Sequence, residues 1–158
     1  MTASTVLVLA FGIGVVAGLR AFTAPTVTAW AAYLGWMHLQ HTPLGFLTSI
    51  LTVVIFTLLA VFELVNDKRP TTPSRTEPGG LVARIVTGGF SGAAIGVASG
   101  QLVIVSVLLA AAGAVAGTFA GYQVRTRTVR ALKVPDYVIA VVEDLVAIGG
   151  GLLLVSRF

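Results

Sequence analysis

The sequence contains no cysteine. That excludes disulfides, thiolate metal sites and a cysteine nucleophile, and it leaves the cellular compartment open. Charge is scarce as well. Only 10% of the residues are Asp, Glu, Lys or Arg, against about 25% in an ordinary soluble domain. No catalytic set is visible. Ser91, Ser99 and Ser106 have no histidine placed as a base, and His38 and His41 share one polar loop. That pair reads as ordinary loop residues, with a surface metal pair as the alternative. Gly79-Gly80 follows Pro78 with no strand before it and no Gly-Lys-Ser/Thr after it, so it is not a phosphate-binding loop. The chain is not expected to be an enzyme. Met1–Thr5 holds no Lys or Arg, and no Ala-x-Ala-like site closes a short apolar core. No cleaved signal peptide is expected.

Apolar side chains are abundant instead. They make up 56% of the 158 residues, and the mean hydropathy is +0.98. A soluble fold of this size cannot hide so much apolar surface, because small chains have much surface for their volume. A bilayer removes the problem by solvating those side chains with lipid tails. A single integral membrane domain over residues 1–158 is therefore expected. The isoelectric point near 10.1 does not point to nucleic acid. The basic residues lie in loops between apolar runs, where the positive-inside rule places them.

Five apolar stretches stand out: Thr5–Trp36, Leu44–Val65, Leu81–Ala98, Leu102–Tyr122 and Tyr137–Val155. A helix needs about 20 apolar residues to cross about 30 Å of hydrocarbon. Barrel strands alternate in polarity and these runs do not. The predicted fold is all-α, a polytopic transmembrane helical bundle of about five crossings. The first stretch is too long for one span and carries a break at Thr23-Ala24-Pro25, with Thr as N-cap and Pro in the first turn. One helix is expected to about Phe22 and a shorter one from Ala24 to Trp36. The second is a re-entrant arm, an interfacial helix or a short crossing. Trp30, Tyr33 and Trp36 suit a headgroup layer.

The loops set the orientation. Asn66–Gly80 holds Lys68, Arg69 and Arg75, with Arg84 just inside the next helix, and Gln123–Pro135 holds Arg125, Arg127, Arg130 and Lys133. Met37–Pro43 and Ser99–Gln101 hold no Lys or Arg. Loops 66–80 and 123–135 are thus expected in the cytoplasm, with the chain in a bacterial inner membrane. The N-terminus is inside if the first stretch crosses once and outside if it forms a hairpin.

A weak repeat is visible. Gly14-Val15-Val16-Ala17-Gly18 recurs as Gly113-Ala114-Val115-Ala116-Gly117, and Ala60-Val61-Phe62-Glu63 recurs as Ala140-Val141-Val142-Glu143. With five crossings the copies run in opposite senses, an inverted repeat of the kind many transporters use. Both Glu63 and Glu143 fall in the cytoplasmic half of their helices, which departs from ideal inversion. Glycines also recur at every fourth position: Gly14 and Gly18; Gly88, Gly92, Gly96 and Gly100; Gly113, Gly117 and Gly121. That spacing puts them on one helix face, where bare backbones approach closely. Leu81–Ala98 is expected to pack on Leu102–Tyr122 as a hairpin.

Charges within apolar runs are costly unless paired or hydrated. Glu143 and Asp144 lie near the middle of Tyr137–Val155, beside Ala140, Ala147 and Gly151 at helical spacing. Glu63 ends Leu44–Val65, and Asp67 follows one turn later on the same face. Arg20 lies deep in the first stretch. Three chemistries fit. Glu63, Asp67, Glu143 and Asp144, with Asn66, form an oxygen set suited to a divalent cation such as Mg²⁺, Ca²⁺ or Mn²⁺. Glu143 alone suits a proton relay. Alternatively Arg20 or Arg84 pairs internally with Glu143 or Glu63, while Lys68 and Arg69 anchor at the headgroups.

Several stretches carry a family resemblance. They are Gly18-Leu19-Arg20-Ala21-Phe22, Phe62-Glu63-Leu64-Val65-Asn66-Asp67-Lys68-Arg69-Pro70, Thr72-Pro73-Ser74-Arg75, Gly79-Gly80-Leu81-Val82-Ala83-Arg84 and Val142-Glu143-Asp144-Leu145-Val146-Ala147. Together the chain resembles bacterial integral membrane proteins of the domain-of-unknown-function 4126 family over nearly its whole length. The resemblance implies the membrane class and no activity. In build alone the chain is also similar to cation/proton exchangers of the manganese–calcium type, which carry Glu-x-Gly-Asp-Lys in each of two inverted repeats. Here one more residue separates Glu63 from Asp67, no Gly intervenes, and no Lys follows Glu143-Asp144. The expected function is that of a small secondary transporter or channel component for a cation or a proton-coupled solute, acting as a homodimer. The rival expectation is a non-transporting scaffold that binds other transmembrane helices.

Overall fold

The computed structural model describes residues 1–68 and 75–158. Arg69, Pro70 and Thr72-Pro73-Ser74 lie outside the described residues. The chain forms α1 (Ala3–Leu19), α2 (Thr23–Tyr33), a 3₁₀ turn (Gly45–Thr48), α3 (Ile50–Asn66), α4 (Pro78–Ala98), α5 (Val103–Leu132) and α6 (Asp136–Val155). No strand occurs among the described residues. Helices α4, α5 and α6 are each long and apolar enough to cross a membrane, and α1 and α3 are shorter apolar helices. Large apolar side chains such as Leu58, Ile104, Leu108 and Leu145 stay exposed on the outer faces, as lipid contact requires.

The first stretch is a hairpin. α1 stops at Leu19, Arg20 takes an extended conformation (φ −141°, ψ 112°), and α2 starts at Thr23. The break therefore lies a few residues before Pro25, and Phe22 rather than Thr23 is the N-cap. The reason is tertiary. The Glu63 carboxylate accepts the backbone N–H groups of Ala21 (2.7 Å) and Phe22 (2.8 Å), so the cap comes from α3. α2 has 11 residues, about 16 Å at 1.5 Å per residue, roughly half the hydrocarbon thickness. Beyond it the chain reaches the end where α1 began. There Met1, Trp36, His38, Ser99, Arg157 and Phe158 surround one pocket, and Gln101 donates to the Met1 carbonyl (3.2 Å). Both termini share this end. The opposite end gathers the α1–α2 break, the C-terminus of α3, the start of α4 and the α5–α6 turn.

α1 is the central helix and packs against α2, α4, α5 and α6. Its interface with α5 is the most extensive, and the two helices run parallel. A Cβ at Gly18 would fall 2.6 Å from the Thr118 nitrogen, and one at Gly117 would fall 2.5 Å from the Val15 carbonyl oxygen. α4 crosses the other side of α5 antiparallel to it. A Cβ at Gly92 would fall 2.5 Å from the Ala110 Cβ, and one at Gly96 would fall 2.8 Å from the Val103 Cα. Gly14, Gly88 and Gly113 lie in the same seams, and Gly121 meets Leu19. Gly100 instead sits in the α4–α5 turn with positive φ (65°) and nothing near it.

This packing revises the repeat. The two Gly-x-x-x-Gly segments lie on parallel helices that touch one another. The two Glu-bearing helices, α3 and α6, run antiparallel, so no single inversion relates the copies. The connector over 123–135 is revised as well. α5 continues to Leu132, and only Lys133, Val134 and Pro135 form the turn. The sequence there is basic and polar, which suggests a loop, yet nothing in it breaks a helix before Pro135.

Candidate functional site

Every helix sends a charged or capped group to the end opposite the termini. Arg20 leads. Freed from helical geometry by the break, it is fully buried (0% exposed) and reaches Asp144 through Nε (2.6 Å), Asp67 through Nη1 (3.0 Å) and Glu143 through Nη2 (3.4 Å). Its planar fork spreads across carboxylates from two helices, which a lysine cannot do. Asp144 also takes Lys68 Nζ at 2.6 Å. Glu143 is clasped by both terminal nitrogens of Arg75, with Nη2 at 2.8 Å from Oε2, and lies 3.5 Å from Arg125. Arg125 binds Asp67 at 2.6 Å and forks onto Asp136, with Nε 2.9 Å from Oδ1. Arg84 completes the set at 3.6 Å from Glu63, with Nη1 donating to the Gly80 carbonyl (3.0 Å). Its Nε has no hydrogen-bond partner among the described residues.

Among the described residues five cations thus meet five carboxylates, and their formal charges balance. Isolated charges at this depth would be untenable, and mutual pairing supplies the compensation. Asp67 stands just past the end of α3. Burial pushes its carboxyl up, but the Arg20 and Arg125 guanidiniums outweigh burial and hold it below its ordinary value.

Of the residues singled out in the sequence, Asp67, Glu143, Asp144 and Arg20 converge on one another directly. Glu63 stands beside them, paired among the described residues with Arg84, while its carboxylate accepts the N–H groups at the α2 N-terminus. All four carboxylates are engaged by protein groups. No grouping of three or more His, Asp or Glu side chains able to hold a metal occurs among the described residues. Sequence reasoning missed Arg75, Arg125 and Asp136, and gave Lys68 only a headgroup role. A signal for Arg125 existed. It extends the Gly113, Gly117, Gly121 spacing by four more residues, onto the face that meets the bundle. Arg84 precedes Gly88 on the other ladder in the same way. Nothing in the spacing marks Arg75.

An all-helical bundle with apolar outer faces, long apolar helices and charges folded inward at one end defines a polytopic membrane protein. The chain matches the family described as domain of unknown function (DUF4126) over residues 7–156, and it belongs to that family. No curated protein and no solved structure matches it.

Proposed function

We propose that this chain is a small bacterial inner-membrane transport protein, a secondary transporter or channel component, whose charge cluster is the gate at its cytoplasmic end. One observation carries the reading: a fully buried Arg20, seated in a helix break, ties Asp67, Glu143 and Asp144 together at one end of the bundle. Burying Arg20, Arg75, Arg84 and Asp144 is a poor route to stability, since apolar packing does as well or better. A network of exchangeable pairs suits a switch. A proton or a divalent cation taken up by Glu143 or Asp144 would release an arginine and loosen the end of the bundle. Every carboxylate is already paired, so ligation requires opening of the cluster. The segments around 66–80 and 123–135 lie on the cytoplasmic side by their Lys and Arg content, with both termini outside. The protein carries out no covalent chemistry in this reading and works as a homodimer.

Flux in proteoliposomes tests it, with wild type and Glu143→Gln under imposed proton, Mg²⁺, Ca²⁺ and Mn²⁺ gradients. The expected result is faster dissipation of one gradient by wild type than by protein-free vesicles, altered in Glu143→Gln. Rates equal to protein-free vesicles for all four gradients overturn transport. A second reading, a non-transporting scaffold, is favoured by the glycine seams, which lock α1, α4 and α5 into one tight unit. It predicts a stoichiometric membrane partner on purification and no ion-dependent stabilisation.

A further inference from the structure

α5 and α6 touch only sparingly, and α1 forms the floor between them. The result is a lateral groove of about 280 Å³ on the outer face of the bundle. Its walls are Val15 and Leu19 of α1, Ala120 and Val124 of α5, and Val142 and Val146 of α6. Almost no polar surface lines it, apart from Arg125 and Glu143 at its charged end, both engaged with protein partners. α5 has 30 residues, about 45 Å of helix, so its last turns pass beyond about 30 Å of hydrocarbon. Those turns carry Arg127 and Arg130, both exposed, followed by exposed Lys133. None of the three forms an ion pair or side-chain hydrogen bond among the described residues, in contrast to Arg125. Arg127 follows Val124 by three residues and Ala120 by seven, which puts it on the groove-lining face of α5 one turn beyond the groove.

We infer that this groove and the basic end of α5 form a binding site for one anionic phospholipid, with an acyl chain along α1, α5 and α6 and the phosphate on Arg127 and Arg130. Charge complementarity selects this occupant. An apolar slot with cations one turn beyond its end, unpaired among the described residues and at the membrane boundary, matches the two halves of an acidic lipid, whereas the equally basic end of a second copy would be repelled. The inference stands whether or not the chain transports an ion.

The test is the thermal unfolding midpoint of the full chain in a neutral detergent. Phosphatidylglycerol, phosphatidylcholine and inorganic phosphate are added separately, and lipid retained on the protein is counted by native mass spectrometry. The variants are Arg127→Gln/Arg130→Gln and Ala120→Phe, the latter filling the groove at an exposed position. Phosphatidylglycerol is expected to raise the midpoint by several degrees and to stay bound at one per chain, and each variant is expected to abolish both effects. An equal rise with phosphatidylcholine would reduce the groove to general apolar solvation and overturn the site. An equal rise with inorganic phosphate would show that an anion alone suffices, and overturns it too. Retention of one phosphatidylglycerol per chain in both variants, or a dimer that Ala120→Phe dissociates without any lipid dependence, also overturns it.

Discussion

Arg20 holds the buried part of the charged end together, because it faces three carboxylates at once from a fully buried position. Arg20→Met removes the cation and leaves those carboxylates short of a partner inside the bundle. A loss of about 3 kcal/mol or more is expected on unfolding in detergent, the usual consequence of stripping one side of a buried pair. Adding Asp144→Asn should recover part of that loss, and no recovery would mean the two residues are uncoupled. Asp67 gives a pH dependence with a defined sign. Its carboxyl sits lower in the folded chain than its ordinary value. Its stabilising contribution is therefore complete above about pH 4, the range of an unperturbed Asp, and is lost as pH falls through the lowered folded value. Wild type should lose more stability on acidification than Asp67→Asn, read as unfolding midpoints across a pH series.

At the scale of elements, the glycine seams and the capped break dominate. A side chain at Gly92 would overlap the Ala110 Cβ and the Ser106 carbonyl oxygen. Gly92→Val should cost about 1–3 kcal/mol by overpacking the α4–α5 seam. Gly149 has open space where its Cβ would stand, so Gly149→Ala should leave unfolding unchanged. Equal effects of the two would refute close packing at Gly92. The α1–α2 break depends on Glu63, which binds two N–H groups from another helix. Glu63→Ala is expected to cost about 1–2 kcal/mol, as loss of a good N-cap does, while Glu63→Gln should retain part of the cap. Both values come from the same detergent unfolding assay.

For the whole molecule, the hairpin at the N-terminus puts both chain ends on one side. The natural chain has no cysteine, so single-cysteine variants report topology without interference. With the charged end in the cytoplasm, as proposed above, Gln101→Cys and His38→Cys should react with a membrane-impermeant maleimide added outside intact cells. Arg130→Cys should react only after the membrane is opened. Labelling of Gln101→Cys and Arg130→Cys from the same side would contradict the arrangement.

The residues by themselves determined the class and most of the helices. Apolar runs of crossing length have few physical outcomes, so α4, α5 and α6 were legible to within a few residues, apart from the C-terminal extension of α5. The glycine spacing likewise marked the faces that pack, because a missing side chain is visible in the sequence. The pairing of charges was not legible. Arg75 binds Glu143 across 68 positions of chain and Arg20 binds Asp144 across 124, and Coulomb attraction depends on distance in space, which no local pattern encodes. The repeat failed for a related reason. Two similar segments carry no record of their relative direction until the chain between them is folded. Only the tertiary structure decided that Arg20 sits in a break and that Glu63 closes the α2 N-terminus. Both depend on what the helices bring to a single end.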